Sequence, residues 1–116
     1  MLAWARTSEV NALKRNRYAF GRASEQRVAA QLRRHGASVS ISPGSRGPAD
    51  LIAEFPSKTW LVQVKSGQSP PVELNGTERK RLNAAATKRG ATPVLARVTD
   101  QGIEYKSTRS GRRLQP

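Results

Sequence analysis

The run Trp60-Leu61-Val62-Gln63-Val64-Lys65 constrains the fold of this chain more than any other stretch. Side chains along a strand alternate between faces. Trp60, Val62 and Val64 therefore share one apolar face, and Leu61, Gln63 and Lys65 share the other. A strand with an apolar face needs another layer to cover it, so the rest of the chain must supply that layer.

The flanking segments supply it by changing period. From Phe20 to Arg34, Ala23, Val28, Ala29 and Leu32 recur at helical spacing, and Gly36 stands where a helix commonly ends. Arg33, Arg34 and His35 fill the last turn, where the helix dipole favours cations. Ser38–Ser42 then alternates strictly, as a half-buried strand does, and residues 43–48 form a Gly/Pro loop. Asp50–Ala53 reads as a second strand, and residues 67–76 as a loop. Thr77 can cap a second helix that runs to about Arg89, with Leu82, Ala85 and Ala86 inward and Gly90 at its end. Val94–Val98 and Ile103–Lys106 pair across an Asp100-Gln101-Gly102 turn. The expectation is one α/β domain, a central mixed sheet flanked by helices in the order α-β-β-β-α-β-β. Residues 1–18 read as a basic N-terminal arm, 19–106 as the core, and 107–116 as a mobile basic tail.

Charge narrows the partner. Lys and Arg total 21 against 8 Asp and Glu, a net charge of +13 over 116 residues. Such an excess points to a polyanion, nucleic acid before a membrane surface. Arg outnumbers Lys 15 to 6, which suits bidentate phosphate recognition; a GC-rich genome gives the same bias. The absence of cysteine excludes disulfides, thiolate nucleophiles and Cys-based zinc sites. The single histidine, His35, leaves multi-histidine metal sites and Ser-His-Asp chemistry poorly supplied. No apolar run reaches the ~18 residues that suggest a membrane span, and the N-terminus lacks the apolar core of a secretory signal. A cytoplasmic protein is the default expectation.

Three scarce or oddly placed residues then stand out. Glu25 lies three, four and seven residues before Val28, Ala29 and Leu32, which puts a carboxylate on the apolar stripe of the helix. It either meets a ligand there or sits at the stripe's edge beside Arg22 or Arg27. Asp50 opens an apolar strand just after the Gly/Pro loop, as a site carboxylate or as a turn-closing aspartate. Lys65 ends the strongest strand on the face of Gln63, at a site or at a plain sheet edge.

The ordered set resembles the PD-(D/E)xK nuclease superfamily, and within it the archaeal-type Holliday-junction resolvases. The resemblance is carried by Gly21–Glu25 and the helix to Gly36, the Ser/Gly loop, Pro48-Ala49-Asp50-Leu51-Ile52-Ala53, Trp60–Ser66, and Thr92–Ala96, over residues 20 to 100. It implies a restriction-endonuclease-like fold and a metal-dependent endonuclease that hydrolyses phosphodiesters in four-way DNA junctions. The implied catalytic residues are Glu25, Asp50, Gln63, Lys65 and a loop serine, for which Ser45 is favoured over Ser42. Glu25, Asp50, the Gln63 amide and the Val64 carbonyl are implied ligands of Mg²⁺, with Mn²⁺ as a substitute. Two carboxylates converging on one point repel unless a cation lies between them. Gln63 departs from the pattern: the family usually carries an acid there, and glutamine keeps the oxygen but loses the charge.

Phosphate contacts fall to Arg15, Arg17, Arg22, Arg33, Arg34, Arg46, Arg79, Lys80 and Arg81, although charge runs are often only solvated faces. Aromatics are few, which favours backbone recognition of duplex arms over base stacking. A four-way junction has two-fold symmetry, so a C2 homodimer is expected, with Trp60, Leu61 or the C-terminal strands as candidate interfaces. Two other readings remain at this stage: a restriction- or repair-type endonuclease on duplex DNA, and a non-catalytic basic nucleic-acid binder.

Overall fold

The computed structural model describes residues 21–42, 47–67 and 73–116. Helix α1 spans residues 21–34, and Gly36, at φ 96°, turns the chain out of it. The strands β1 (Ser38–Ile41), β2 (Leu51–Glu54) and β3 (Thr59–Ser66) follow. Then come helix α2 (Gly76–Arg89) and the strands β4 (Thr92–Thr99), β5 (Gly102–Ser107) and β6 (Arg113–Leu114). The six strands form one sheet in sequence order. Only β3 and β4 run parallel, with Trp60 beside Thr92 and Ser66 beside Val98; every other neighbouring pair is antiparallel. A parallel pair needs a crossover, and α2 is that crossover.

The alternation along β3 separates two cores. Val28, Ala29 and Leu32 of α1 pack with Leu51, Ala53, Trp60, Val62, Val94, Ala96 and Tyr105. Leu82 and Ala86 of α2 pack with Leu61, Leu95, Ala91 and Leu74 on the opposite side. Within the α1 core the Phe55 and Trp60 rings meet edge to face at 5.2 Å, and Trp60 and Tyr105 lie 5.5 Å apart. Trp60 and Leu61 are each 2% exposed, so both serve the chain's own core and neither is available as a dimer interface.

Three expectations need correction. The cap of α2 is Asn75, not Thr77: the Asn75 side chain accepts from the Glu78 N–H at 2.8 Å, and the Glu78 carboxylate accepts from the Asn75 N–H at 3.1 Å. That is a complete capping box. Strand β1 is mostly exposed, with Ile41 38% open, because it lies at the sheet edge. The segment after Ser107 adds β6 to the sheet. Ser107 Oγ accepts from the N–H groups of Arg109 and Ser110, the Thr108 hydroxyl donates to Asn83, and Arg109 donates to Thr87 on α2. Short polar side chains tie this segment to α2 and β5, so the order comes from hydrogen bonds that apolar periodicity does not reveal.

Candidate active site

The candidate site lies where β2 stops and β3 continues. The β2–β3 ladder ends at Leu51 opposite Val62, while β3 runs on to Ser66. A half-buried backbone N–H on the unpaired stretch needs a partner. Asp50 provides it: its Oδ2 accepts from the Val64 N–H at 2.9 Å. Its own N–H donates to the Val62 carbonyl at 2.9 Å, and its carbonyl accepts from the Ser42 N–H at 2.8 Å. Asp50 is therefore held on three sides and is only 4% exposed.

Lys65 lies one residue beyond Val64 and projects to the α2 side with Gln63. Its ammonium donates to Glu78 Oε2 at 2.9 Å. That hydrogen bond is the main force lowering the Glu78 carboxyl below its ordinary value; partial burial opposes it, and the Asn75 N–H and the Lys65 charge add to it. Glu78 was not among the residues singled out in the sequence. Its signal is the Asn75-x-x-Glu78 box, which Thr77, a competing cap two residues on, obscures. Arg97, the register partner of Lys65 on β4, has acids of its own, Glu73 at 3.1 Å and Glu104 at 3.2 Å.

Glu25 sits one turn before Val28 and Ala29 on α1 and is half-buried. Its helix, α1, packs on the face of the sheet opposite α2. Among the described residues, no group of three His, Cys, Asp or Glu side chains gathers to hold a metal ion. The donors at hand are oxygens, namely carboxylates, the Gln63 amide and the Val64 carbonyl. That set fits a hard divalent cation that keeps several of its waters. Ser45, Arg46, Arg15 and Arg17 lie outside the described residues. Arg22, Arg33 and Arg34 are exposed on α1, and Arg79, Lys80 and Arg81 on α2. These two groups cover opposite sides of the sheet, and Arg33 also donates to the Val39 carbonyl at 3.1 Å.

The sequence itself matches a known family. The family model of archaeal Holliday junction resolvases (Hjc) matches residues 16–109. The chain belongs to that family. Its members are structure-selective, junction-resolving endonucleases, and resolvase nucleases generally use a divalent metal. Among solved structures, Hjc of Archaeoglobus fulgidus, a Holliday junction resolvase, shares the fold with a TM-score of 0.68. It is 20% identical, over 74% of this chain and 75% of that one. No curated protein matches the sequence. Among the described residues of this resolvase, no helix is long and apolar enough to cross a membrane.

Proposed function

We propose that this resolvase cuts four-way junctions by Mg²⁺-assisted hydrolysis, with Mn²⁺ as a substitute, at a site built on Asp50, Glu25, Gln63 and Lys65. The observation that carries this reading is the Asp50 carboxylate, buried and fixed on the Val64 N–H one residue from Lys65. A carboxylate held this way keeps its orientation without reorganising during reaction, which is what electrostatic catalysis requires. Asp50 and Glu25 would hold the cation, with the Gln63 amide and the Val64 carbonyl as neutral donors. When bound, the cation polarises the scissile phosphate and makes a bound water more acidic. Lys65 orients the attacking water or meets the charge that builds on the phosphate oxygens. Gln63 contributes an oxygen without charge, so metal affinity is lower than an acid would give. Ser45, in the loop before Asp50, belongs to the same set through the family resemblance.

One chain carries one such site, and a junction needs two symmetric cuts. A C2 homodimer supplies both. The exposed arginines and lysines of α1 and α2 would contact phosphates along the junction arms, and a cytoplasmic site of action accords with that substrate.

The deciding assay compares a synthetic four-way junction, linear duplex and single strand, with and without divalent metal. Paired symmetric nicks in the junction alone, lost with a chelator, are expected. Equal cutting of linear duplex would replace the junction reading with a general nuclease. Tight binding with no cleavage in Mg²⁺ or Mn²⁺ would leave a non-catalytic binder.

A further inference from the structure

Lysine ends in a compact cation on a flexible four-carbon stem, so a catalytic lysine needs something to hold it still. In this fold the holder is Glu78. Its Oε2 receives the Lys65 ammonium at 2.9 Å, while its Oε1 receives the Asn75 N–H at 3.1 Å and its own N–H donates to Asn75 Oδ1 at 2.8 Å. The carboxylate is thus fixed at the first turn of α2, and α2 is docked on the sheet through Leu82 and Ala86 against Leu61 and Leu95. A packed helix therefore sets where the ammonium stands.

We propose that Glu78 is the positioning residue for Lys65, supplying from α2 the negative charge that Gln63 does not carry on β3. This rests on the reading of Lys65 as part of the cleavage site. Two observations separate the role from mere helix capping. The capping box uses Oε1 alone, and a glutamine would serve it equally well; the charge and the second oxygen go to Lys65. The surroundings also need a dedicated acid. Arg97 lies beside Lys65 on the same face of the sheet and is a like charge. Glu73 and Glu104 already serve Arg97, and they also bind Lys106 and Arg113. Without Glu78, Lys65 would stand between a neutral amide and a guanidinium, free to swing toward those acids. Stability is not the main gain, since both side chains are about one-third exposed (29% and 32%) and such pairs add little.

The test is Glu78→Gln, which keeps the capping box and removes the charge. Single-turnover cleavage of a four-way junction in saturating Mg²⁺ should fall about 10- to 100-fold, as small misplacements of reacting groups do. Junction affinity, the half-saturating Mg²⁺ concentration and Tm should stay close to wild type. A second readout needs neither metal nor DNA. In the metal-free protein labelled with ¹⁵N-lysine, the Lys65 ammonium should give a slowly exchanging NMR signal that the variant loses. Cleavage by the variant within twofold of wild type overturns the proposal. So does a loss that extra Mg²⁺ restores, because Glu78 would then act on the metal, or a loss matched by a fall in affinity or Tm. A wild-type chain that cuts no junction with any divalent metal removes the nuclease reading and this role with it. That result is distinct from a wild type that cuts alongside a variant that cuts equally well.

Discussion

On the α1 side of β3, Trp60 and Val62 are buried in a continuous apolar layer closed by Val28, Leu32 and Tyr105. On the α2 side, one residue along, Leu61 meets Leu82 and Leu95, and then the strand changes character. Gln63 and Lys65 follow, among Glu78, Arg97, Glu73 and Glu104. The same backbone thus serves as a dry core on one side and a charged site on the other. Three of the chain's eight acids lie on the charged side, each paired with a cation. Glu25 apart, the α1 side is expected to govern whether the chain folds, and the β2–β3 end with the α2 side whether it cuts.

The largest effect that tests this division is Asp50→Asn. Asparagine keeps an oxygen for the Val64 N–H, so the fold should survive. Cleavage should fall about 10³-fold, a barrier increase of about 4 kcal/mol, while junction affinity without metal stays close to wild type. A variant that fails to fold would show that Asp50 is structural and would blur the division. Next in size is Leu32→Ala, on the α1 side. Leu32 is fully buried, and removing such a side chain costs about 3 kcal/mol. Urea unfolding should show that loss, while the cleavage rate of the folded fraction below the unfolding transition should not change. A rate loss larger than the unfolded fraction explains would mean the two sides are coupled.

The α1 side also predicts an alkaline limit. Tyr105 is buried, and burial pushes its phenol up to about 12, against a smaller opposing pull from Arg34; its hydroxyl donates to Gln31. In the unfolded chain Tyr105 ionises at the ordinary value near 10. The stabilisation from the neutral phenol is therefore complete below pH 10 and is lost as pH rises from 10 to 12. Tyr105→Phe should lack this loss, as followed by denaturation at a series of alkaline pH values. A Tyr105→Phe profile that matches wild type over that range would move the alkaline sensitivity elsewhere.

How much of this was legible depended on the kind of force involved. Trp60–Lys65 announced both its strand and the facing of each side chain, because burial on one side imposes a period of two. Val28, Ala29 and Leu32 announced α1, and Leu82 with Ala86 announced α2, through the same link between burial and period. Asp50 and Lys65 stood out because acids are scarce and because a Gln-x-Lys face ends an otherwise apolar strand. Contacts between polar groups on separate elements were not legible. Nothing in the spacing shows that Asp50 completes the ladder at Val64, or that Thr108 and Arg109 tie the last segment to α2. The Lys65–Glu78 pair was half legible: the capping box was written in the sequence, but Thr77, two residues on, offered an equally good cap.

That box gives the smallest and sharpest test. Asn75→Ala removes the side chain that accepts from the Glu78 N–H, and losing an N-cap costs about 1 kcal/mol. This is less than Leu32→Ala should cost. Yet Asn75 fixes the first turn of α2, from which Glu78 reaches Lys65, so the looser turn should let the carboxylate wander. Cleavage by Asn75→Ala should therefore slow several-fold at a temperature where the protein is fully folded, and Asn75→Asp, which caps equally well, should restore it. The order of effects then reverses between the two sides. The variant that loses more stability keeps its rate, and the variant that loses less stability loses rate. If Asn75→Ala cuts as fast as wild type, the start of α2 is only a helix cap, and the charged side of the sheet reaches no further than β3.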